Sequence, residues 1–223
     1  MIKYTRLPKH IGIIPDGNRR WALEHGMANK DGYAHGIDPG IDLYQQCRAL
    51  GIKELTFYGF TVDNTKRPAE QKEAFQQACV DAVLAMVDYD VELFVVGNTQ
   101  SPSFPQSLLP YANKPVVFGS GGTRVNFLVN YGWSWDLNYF WKQKRFAGEM
   151  SYENMIHHIA SKDISRIDLI IRWGGRRRLS GFLPVQSIYA DFYVLDEYWP
   201  DYQPEHLQQA LDWYQQQDVT LGG

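Results

Sequence analysis

The sequence predicts an α/β fold, in which helices flank a single central β-sheet whose strands run mainly parallel. Two observations carry this prediction. Short apolar runs recur along the chain, and helical patterns separate most of them, which is typical of βαβ units. The chain of 223 residues contains no repeat, no low-complexity tract and no linker, so we expect one domain over residues 1–223.

Six short apolar runs are predicted to be strands. They cover residues 10–14, 54–60, 91–96, 124–130, 168–172 and 191–195. Residues 98–123 are rich in Ser, Pro and Gly and are predicted to form a loop. His10 stands at the start of the first strand, and we assign it no catalytic role.

Four helices are predicted from turn residues and apolar spacing. The first has its opening turn at residues 19–23, the second begins at Asp38-Pro39, and the last opens at Pro204. The third has an apolar face that is expected to pack on the sheet. Its members are Phe75, Ala78, Cys79, Ala82, Val83, Met86 and Val87. Residues 133–147 are unusually aromatic, which is typical of core, of an interface or of the floor of an apolar pocket.

The composition restricts the classes of function. A formal net charge of −3 argues against general nucleic-acid binding, so any basic site must be local. Cys47 and Cys79 both lie within helical patterns, and we expect buried free thiols rather than a disulfide. No apolar stretch reaches the roughly 18 residues of a membrane span, and nothing at the N-terminus resembles a signal peptide. We therefore expect a soluble, cytoplasmic protein.

The most informative segment joins the first strand to the first helix. Asp16, Gly17 and Asn18 supply turn chemistry and one carboxylate, and Arg19 and Arg20 follow at once. Such a corner of an open α/β sheet binds anions, because backbone N–H groups and arginines hold phosphate oxygens there. The carboxylate can hold a divalent metal that phosphate also binds. An ordinary corner with surface arginines has the same spacing, so the spacing alone leaves both interpretations open.

Residues 10–22 resemble the signature that opens the cis-prenyltransferases, the family of undecaprenyl and dehydrodolichyl diphosphate synthases. The resemblance continues in order through essentially the whole chain. The further matching segments are 57–64 with 66–68, 125–132, 168–175, 178–180, 182–183, 189–191 and 199–201. The resemblance implies an α/β fold with a hydrophobic tunnel or pocket beside the third helix, and it implies a homodimer.

The reaction of this family sets demands on the protein. An allylic diphosphate ionises to pyrophosphate and a carbocation, the alkene of a second isoprenoid diphosphate attacks the cation, and a proton is lost. The protein must neutralise two diphosphates and keep water from the cation. Unit charges about 4 Å apart interact by about 4 kcal/mol at an effective dielectric near 20, so several arginines and a metal are needed.

The resemblance implies a role for each matching residue. Asp16 and Asp191, the latter where the family has Glu, are the expected Mg²⁺ ligands, and Asp16 and Asn64 the expected catalytic residues. The expected ligands of the allylic diphosphate are Gly17, Asn18, Arg19, Arg20 and Arg67. Those of the second diphosphate, normally isopentenyl diphosphate, are Arg172, Arg178 and Ser180. The partners are then prenyl diphosphates, with at most peripheral membrane contact through the product.

Four departures from the family pattern affect this site. Asn29 and Tyr33 stand where chain-elongating members carry a phosphate-binding arginine and histidine, and we expect this loss to weaken the allylic site. Ser134 lies where the family has arginine, and Arg176 replaces an acid. Thr220 replaces a C-terminal arginine that supports the active site in the family.

The departures also bear on the product. Trp133 and Trp173 replace small residues, which is expected to reduce the space near the reacting carbon. Residues 31–33 and 182–184 resemble cyclolavandulyl diphosphate synthase, a branch of the family that joins two dimethylallyl diphosphates irregularly. We therefore predict a Mg²⁺-dependent prenyltransferase with a short or irregular product, made either on isopentenyl diphosphate or by coupling two short units.

Two other classes of function remain as alternatives. A terpene cyclase on the same scaffold would use one prenyl diphosphate, and the aromatic enrichment suits stabilisation of a cation. The second diphosphate site, at Arg172, Arg178 and Ser180, favours coupling over cyclisation alone. A non-catalytic partner subunit of a heteromeric synthase is the other alternative, and the retention of Asp16 argues against it.

Overall fold

The computed structural model describes residues 4–112, 114–142 and 151–218, which contain one seven-stranded sheet. Its strands are β1 (His10–Ile14), β2 (Glu54–Tyr58), β3 (Val91–Val96), β4 (Val116–Phe118), β5 (Thr123–Leu128), β6 (Leu169–Arg172) and β7 (Asp191–Val194). They lie in the order β4-β3-β5-β2-β1-β6-β7, and neighbouring strands are parallel except for β3 and β4. The predicted fold class is confirmed.

Helices connect these strands, and the four predicted helices are all present. The α-helices are α1 (Asn18–Glu24), α2 (Ile37–Ala49), α3 (Ala69–Ala85), α4 (Trp133–Lys142), α5 (Tyr152–Ile156) and α6 (Pro204–Tyr214). Short 3-10 helices at Asp31–Gly36, Val62–Lys66 and Trp199–Asp201 lie close to the site described below. Within the described ranges, no helix is both long and apolar enough to cross a lipid bilayer.

The six predicted strands are observed, each with its ends within two residues of the predicted ones. The loop predicted over 98–123 is wrong at Val116–Phe118, which forms the edge strand β4 and pairs antiparallel with β3. Three residues carry too little alternation to be distinguished from a loop, and the central one, Val117, is 62% exposed.

The sheet separates two apolar cores. In β1, Ile11 and Ile13 contribute to the first core, in which α2, α3 and α6 also pack. Ile14 belongs to the second core, where Phe182 covers β1 at Gly12 and Trp135 of α4 packs from outside. The two cysteines are free and buried, as predicted, and burial raises the pKa of the Cys79 thiol to about 12.

The described aromatic residues of the segment 133–147 lie on α4, and they differ in burial rather than forming one cluster. Trp135 packs edge-on against Tyr131 with ring centroids 6.2 Å apart, and Phe140 is buried. Trp133 and Tyr139 are 51% and 43% exposed. The side chain of Trp141 and residues 143–147 lie outside the described part of the chain.

A buried polar network crosses β1, β2 and β5. His10 is 1% exposed, its Nδ1 donates to the Ser165 carbonyl at 3.0 Å, and its Nε2 lies 2.8 Å from the Thr56 hydroxyl. Because a carbonyl oxygen only accepts, Nδ1 carries the ring proton. In the neutral ring Nε2 then accepts from the Thr56 hydroxyl, which itself accepts from the Asn126 amide at 2.9 Å. The network therefore fits a neutral histidine with its proton on Nδ1, and His10 has a structural role.

The neutral state of His10 predicts how stability depends on pH. Burial lowers the pKa of His10 below its usual value of 6.5, although the Glu54 carboxylate opposes this change. The unfolded chain then binds a proton more readily, so we expect the free energy of unfolding to fall as the pH decreases below about 6.5. Urea unfolding at about pH 7.5 and 5.5 measures the difference, and His10→Gln is expected to reduce it. Equal pH dependence in both proteins would contradict this role.

Candidate active site

The carboxyl ends of β1 and β6 bring the first and fourth sequence motifs together. Ile14 of β1 pairs with Arg172 of β6, so Asp16, two residues beyond β1, lies at the same edge of the sheet. Gly17 follows with φ of 105°, and a β-carbon there would lie 2.6 Å from the Cδ1 atom of Tyr198. Only glycine suits this turn. The carboxyl edge of a parallel sheet is where α/β proteins bind ligands.

Arg172 is the buried cation of this edge. Its side chain is 4% exposed, and its Nη2 donates to Asp16 Oδ2 at 2.6 Å. Its Nη1 donates to Ser180 Oγ at 3.1 Å and to the backbone carbonyl of Arg178. The Nε group is buried and has no acceptor among the described residues. Because a buried donor without a partner is unfavourable, the Nε–H group of Arg172 is suited to bind an anionic ligand.

Arg20 is held beside the same carboxylate. Its Nη2 lies 3.7 Å from Asp16 Oδ1 and donates to the Gly174 carbonyl at 2.8 Å. The guanidinium also lies 4.9 Å from the ring centroid of Tyr198, whose hydroxyl donates to Glu24 at 2.6 Å. Two guanidinium groups therefore flank Asp16.

A second group of cations lies beside α3. Arg67 donates from Nη1 to the Tyr33 hydroxyl at 2.7 Å, and its Cζ lies 5.3 Å from the ring centroid of Phe75. Arg19 donates to Gln71 of α3 at 3.0 Å, and its charge opposes the rise that burial causes in the pKa of the Tyr33 phenol. The structure thus brings together two of the predicted allylic-site arginines.

The two predicted asparagines are used differently. Asn18 donates to the Pro15 carbonyl at 2.9 Å, and its Oδ1 is buried without a donor among the described residues. Asn64 accepts from the backbone N–H and hydroxyl of Thr61 at 2.9 and 3.0 Å, which caps the helix Val62–Lys66. The amide nitrogen of Asn64 makes no hydrogen bond with the described residues.

Ser180 and Arg178 form the outer part of the second predicted diphosphate site. Both are exposed, and Ser180 has φ of 55°, a conformation supported by a hydrogen bond of 2.8 Å from the Tyr58 hydroxyl to its carbonyl. Arg178 contributes its carbonyl to Arg172, and within the described residues its guanidinium makes no ion pair. Arg176 is exposed in the same loop.

Asp191 is not brought to Asp16 within one chain. It begins β7 opposite Leu169, whereas Arg172, the partner of Asp16, lies opposite Val194 at the other end of that strand. Three strand residues span about 10 Å. Burial raises the pKa of the Asp191 carboxyl, and Arg6 opposes this change. The role of Asp191 as a second Mg²⁺ ligand therefore stays a prediction, and no three His, Cys, Asp or Glu side chains of the described residues converge as metal ligands.

An apolar cavity begins beside this polar edge. Asn18 and Tyr33 line it on the polar side. One wall is the apolar face of α3, which contributes Phe75, Ala78, Cys79, Ala82 and Met86. The opposite walls are formed by Pro15, Gly36, Ile37, Gly40, Phe57, Tyr58, Gly59, Phe127 and Trp199. The hydrophobic pocket predicted beside the third helix is confirmed.

Neither of the two tryptophans that replace small residues lines this cavity. Trp173 is fully buried in the first core, packs on Trp199 with ring centroids 4.8 Å apart, and does not line the cavity. Trp133 covers Gly181, where a β-carbon would lie 2.7 Å from its Cδ1 atom. Ser134 is exposed on α4. Thr220 lies outside the described residues.

Sequence reasoning missed the contacts of Tyr33 and Tyr198. Tyr33 occupies a position that the resemblance treats as a lost ligand, yet its hydroxyl meets Arg67. Gly32 allows this, because a β-carbon there would lie 2.0 Å from the Asn18 carbonyl oxygen and would push the segment away from α1. Tyr198 adjoins the matched segment 199–201 and supports Gly17 and Arg20. The positions of both tyrosines beside motif residues are signals that sequence reasoning had available.

Comparison with known proteins agrees with this geometry. The family described as "Putative undecaprenyl diphosphate synthase" matches residues 14–222. Ditrans,polycis-undecaprenyl-diphosphate synthases specific for (2E,6E)-farnesyl diphosphate from Haemophilus influenzae and Vibrio parahaemolyticus are 31% and 30% identical. These alignments cover 98% and 97% of this chain, and 97% and 91% of the relatives. Lavandulyl diphosphate synthase from Lavandula x intermedia, solved with dimethylallyl diphosphate, matches with a TM-score of 0.82 at 21% identity. That structural match covers 97% of this chain and 98% of the other and shows the shared fold.

The family match and the relatives identify the chain as a prenyltransferase, and an arginine-rich edge beside an apolar cavity is consistent with that class. The chain belongs to the undecaprenyl diphosphate synthase family, the cis-prenyltransferases. Its general reaction is therefore the condensation of prenyl diphosphates.

Proposed function

We propose that this protein is a Mg²⁺-dependent cis-prenyltransferase that condenses an allylic prenyl diphosphate with isopentenyl diphosphate or a second short prenyl diphosphate. The reaction releases pyrophosphate and gives a short or irregular isoprenoid. The observation that carries the proposal is that Asp16, with Arg20 and Arg172 around it, lies in the chain between Pro15 and Asn18, which line an apolar cavity. A prenyl diphosphate has the same division into an anionic head and an apolar chain.

The oxygens at this edge are suitable for Mg²⁺. The Asp16 side chain is 35% exposed, and the buried Asn18 Oδ1 has no donor among the described residues. Mg²⁺ prefers such oxygens and usually completes its shell with water and substrate phosphate. Bound there, the ion would neutralise charge that develops on the departing pyrophosphate. The resemblance to the family supports Asp191 as a second ligand, although it starts β7 at the opposite end from Arg172, the partner of Asp16.

The protein residues neutralise the diphosphates, orient the substrates and exclude water. Arg19, Arg20 and Arg67 neutralise the allylic diphosphate, with the Gly17 and Asn18 backbone beside it, and Arg172, Arg178 and Ser180 hold the second diphosphate. The cavity takes the allylic hydrocarbon and keeps water from the cation. Asn64 presents its amide nitrogen near the reacting carbon. We further propose a cytoplasmic homodimer with at most peripheral membrane contact, a proposal supported by the resemblance to the family.

A short product is supported by the cavity walls. From Phe75 to Met86 the wall of α3 is about 16 Å long at 1.5 Å per residue. Met86 is 1% exposed at its far end, and Phe57 and Phe127 stack at 5.2 Å between centroids on the sheet side. These side chains limit how far a growing prenyl chain extends.

Enlarging Ala82 is expected to shorten the usable cavity. In Ala82→Leu we expect kcat/KM for farnesyl diphosphate to fall at least tenfold relative to that for dimethylallyl diphosphate, because the added carbons fill the cavity beside Met86. Steady-state kinetics with both allylic substrates measures this ratio. Ala85→Leu, on the same helix but away from the cavity, is the matched control. An unchanged ratio in Ala82→Leu would contradict the proposed path of the chain.

Metal removal tests the proposed reaction directly. Pyrophosphate release is measured with dimethylallyl, geranyl or farnesyl diphosphate, each with and without isopentenyl diphosphate, in Mg²⁺ or in EDTA. We expect release in Mg²⁺ and its loss in EDTA, with recovery when Mg²⁺ is restored. Release that persists in EDTA would contradict the metal assignment, and the absence of release from every mixture would contradict the proposed substrates.

A further inference from the structure

Tyr33 lies where the polar edge and the apolar cavity meet. Its ring stacks on Phe75 with centroids 4.5 Å apart and planes 8° from parallel, and both rings line the cavity. Its side chain is 6% exposed. Its hydroxyl lies 2.7 Å from Nη1 of Arg67. One side chain therefore contacts both a predicted diphosphate ligand and the wall of the hydrocarbon cavity.

The chemistry of this hydrogen bond determines its direction. A guanidinium group has donors and no acceptor, so the Tyr33 oxygen accepts from Arg67. Within the described part of the chain, this is the only hydrogen bond of the Tyr33 hydroxyl, and its own proton has no acceptor there. Burial raises the pKa of the Tyr33 phenol, while Arg67 and Arg19 oppose this change, so the proton is retained at neutral pH. A buried O–H donor is thus left beside two arginines.

Arg67 is fixed in place by the same two rings. Its Cζ lies 5.3 Å from the centroid of Phe75 and 6.0 Å from that of Tyr33. A guanidinium held by an aromatic face and one hydrogen bond loses little further freedom when it binds an anion. The remaining N–H groups of Arg67 and the O–H group of Tyr33 form a compact set of donors.

We propose that Tyr33 is a ligand of the allylic diphosphate. A phosphate oxygen accepts a hydrogen bond from the Tyr33 hydroxyl, and the Tyr33 oxygen accepts one from Arg67 Nη1. The hydrocarbon of the same substrate then enters the cavity along Phe75. This inference rests on the proposed function and extends it to a residue that the family pattern counts as a loss. The site keeps a donor at position 33, supplied by a phenol.

Tyr33→Phe tests the proposal because it removes the hydroxyl and keeps the ring that stacks on Phe75. Calorimetry with the unreactive dimethylallyl S-thiolodiphosphate measures binding at the allylic site in Mg²⁺. We expect Kd to rise about tenfold or more, as follows loss of a hydrogen bond to a charged group. Tyr44→Phe is the matched control, because Tyr44 donates to the Asp90 carbonyl at 2.7 Å, outside the site. That variant is expected to bind the analogue as the wild type does.

Two further measurements separate a ligand from a merely structural residue. Binding of isopentenyl diphosphate to Tyr33→Phe is expected to stay within about twofold of wild type, and Tyr33→His, which restores an N–H donor, is expected to recover analogue binding. Unchanged analogue binding in Tyr33→Phe, or equal weakening of both ligands, would overturn the proposal. If the wild type bound neither diphosphate, the proposed function itself would fail, whereas unaltered binding in Tyr33→Phe alone would reject only the role of Tyr33.

Discussion

Replacing Asp16 by Asn is expected to lower kcat/KM by roughly 10²- to 10³-fold, the usual result of removing one preorganised charge-stabilising group. Asn keeps the size of the side chain and an oxygen that still accepts from Arg172 Nη2, 2.6 Å away in the wild type. The change removes the negative charge that attracts Mg²⁺. Steady-state kinetics at saturating Mg²⁺ measures the loss, and thermal unfolding is followed beside it, because Asn leaves the buried Arg172 guanidinium without its counter-charge and is expected to lower the stability.

Asp63→Asn is the matched control for this variant. Asp63 is 77% exposed and pairs with Lys66 at 2.8 Å, so its loss removes the same charge from a surface ion pair of little energetic value. We expect its kcat/KM to equal that of the wild type within about twofold. Wild-type kinetics in Asp16→Asn, with the fold intact, would contradict the central role of this carboxylate.

Replacing Arg172 by Lys is the second large change, with an expected loss of roughly 10²-fold in kcat/KM. The guanidinium reaches Asp16, Ser180 and the Arg178 carbonyl together, whereas a lysine ammonium is a single point charge that cannot keep this geometry. The loss is expected mainly in KM for the second diphosphate if that group binds there. Kinetics with the second substrate varied at a fixed allylic substrate measures it.

Arg177→Lys provides the comparison for Arg172→Lys. Arg177 is exposed in the loop that follows β6, and its guanidinium makes no ion pair with the described residues. The control is expected to leave both kinetic constants unchanged within about twofold. Equal behaviour of the two lysine variants would mean that the buried pair with Asp16 has no part in the reaction.

The parts of the fold that follow from local pattern could be predicted from the sequence. The run His10–Ile14 was bounded by Pro15 and agreed with β1, and the spacing of apolar residues along α3 gave the face that lines the cavity. β4 could not be predicted in this way, because Val116–Phe118 is held by its pairing with β3 rather than by its own pattern. Pairing partners are a tertiary property that a short window does not contain.

The arrangement of the site was harder to predict from the sequence, for the same physical reason. Sequence motifs placed Asp16 and Arg172 in one site, and the parallel register of β1 and β6 brings them together. The motifs gave no direction for side chains, so Trp173 was expected near the reacting carbon although it points into the core. Likewise, the pairing of Asp191 with Leu169 depends on strand register. The hydrogen bond between the Tyr33 hydroxyl and Arg67 is likewise a tertiary contact, which the motif alone does not contain.

Identification of the products by mass is the most direct test of the assigned reaction. Purified protein and Mg²⁺ are incubated with labelled dimethylallyl, geranyl or farnesyl diphosphate, with and without isopentenyl diphosphate. We expect a prenyl diphosphate product of increased carbon number, either growing in five-carbon steps with isopentenyl diphosphate or formed by joining two allylic units. A product with no more carbon than the allylic substrate would indicate cyclisation or hydrolysis, and the absence of any product while both diphosphates still bind would contradict a catalytic role.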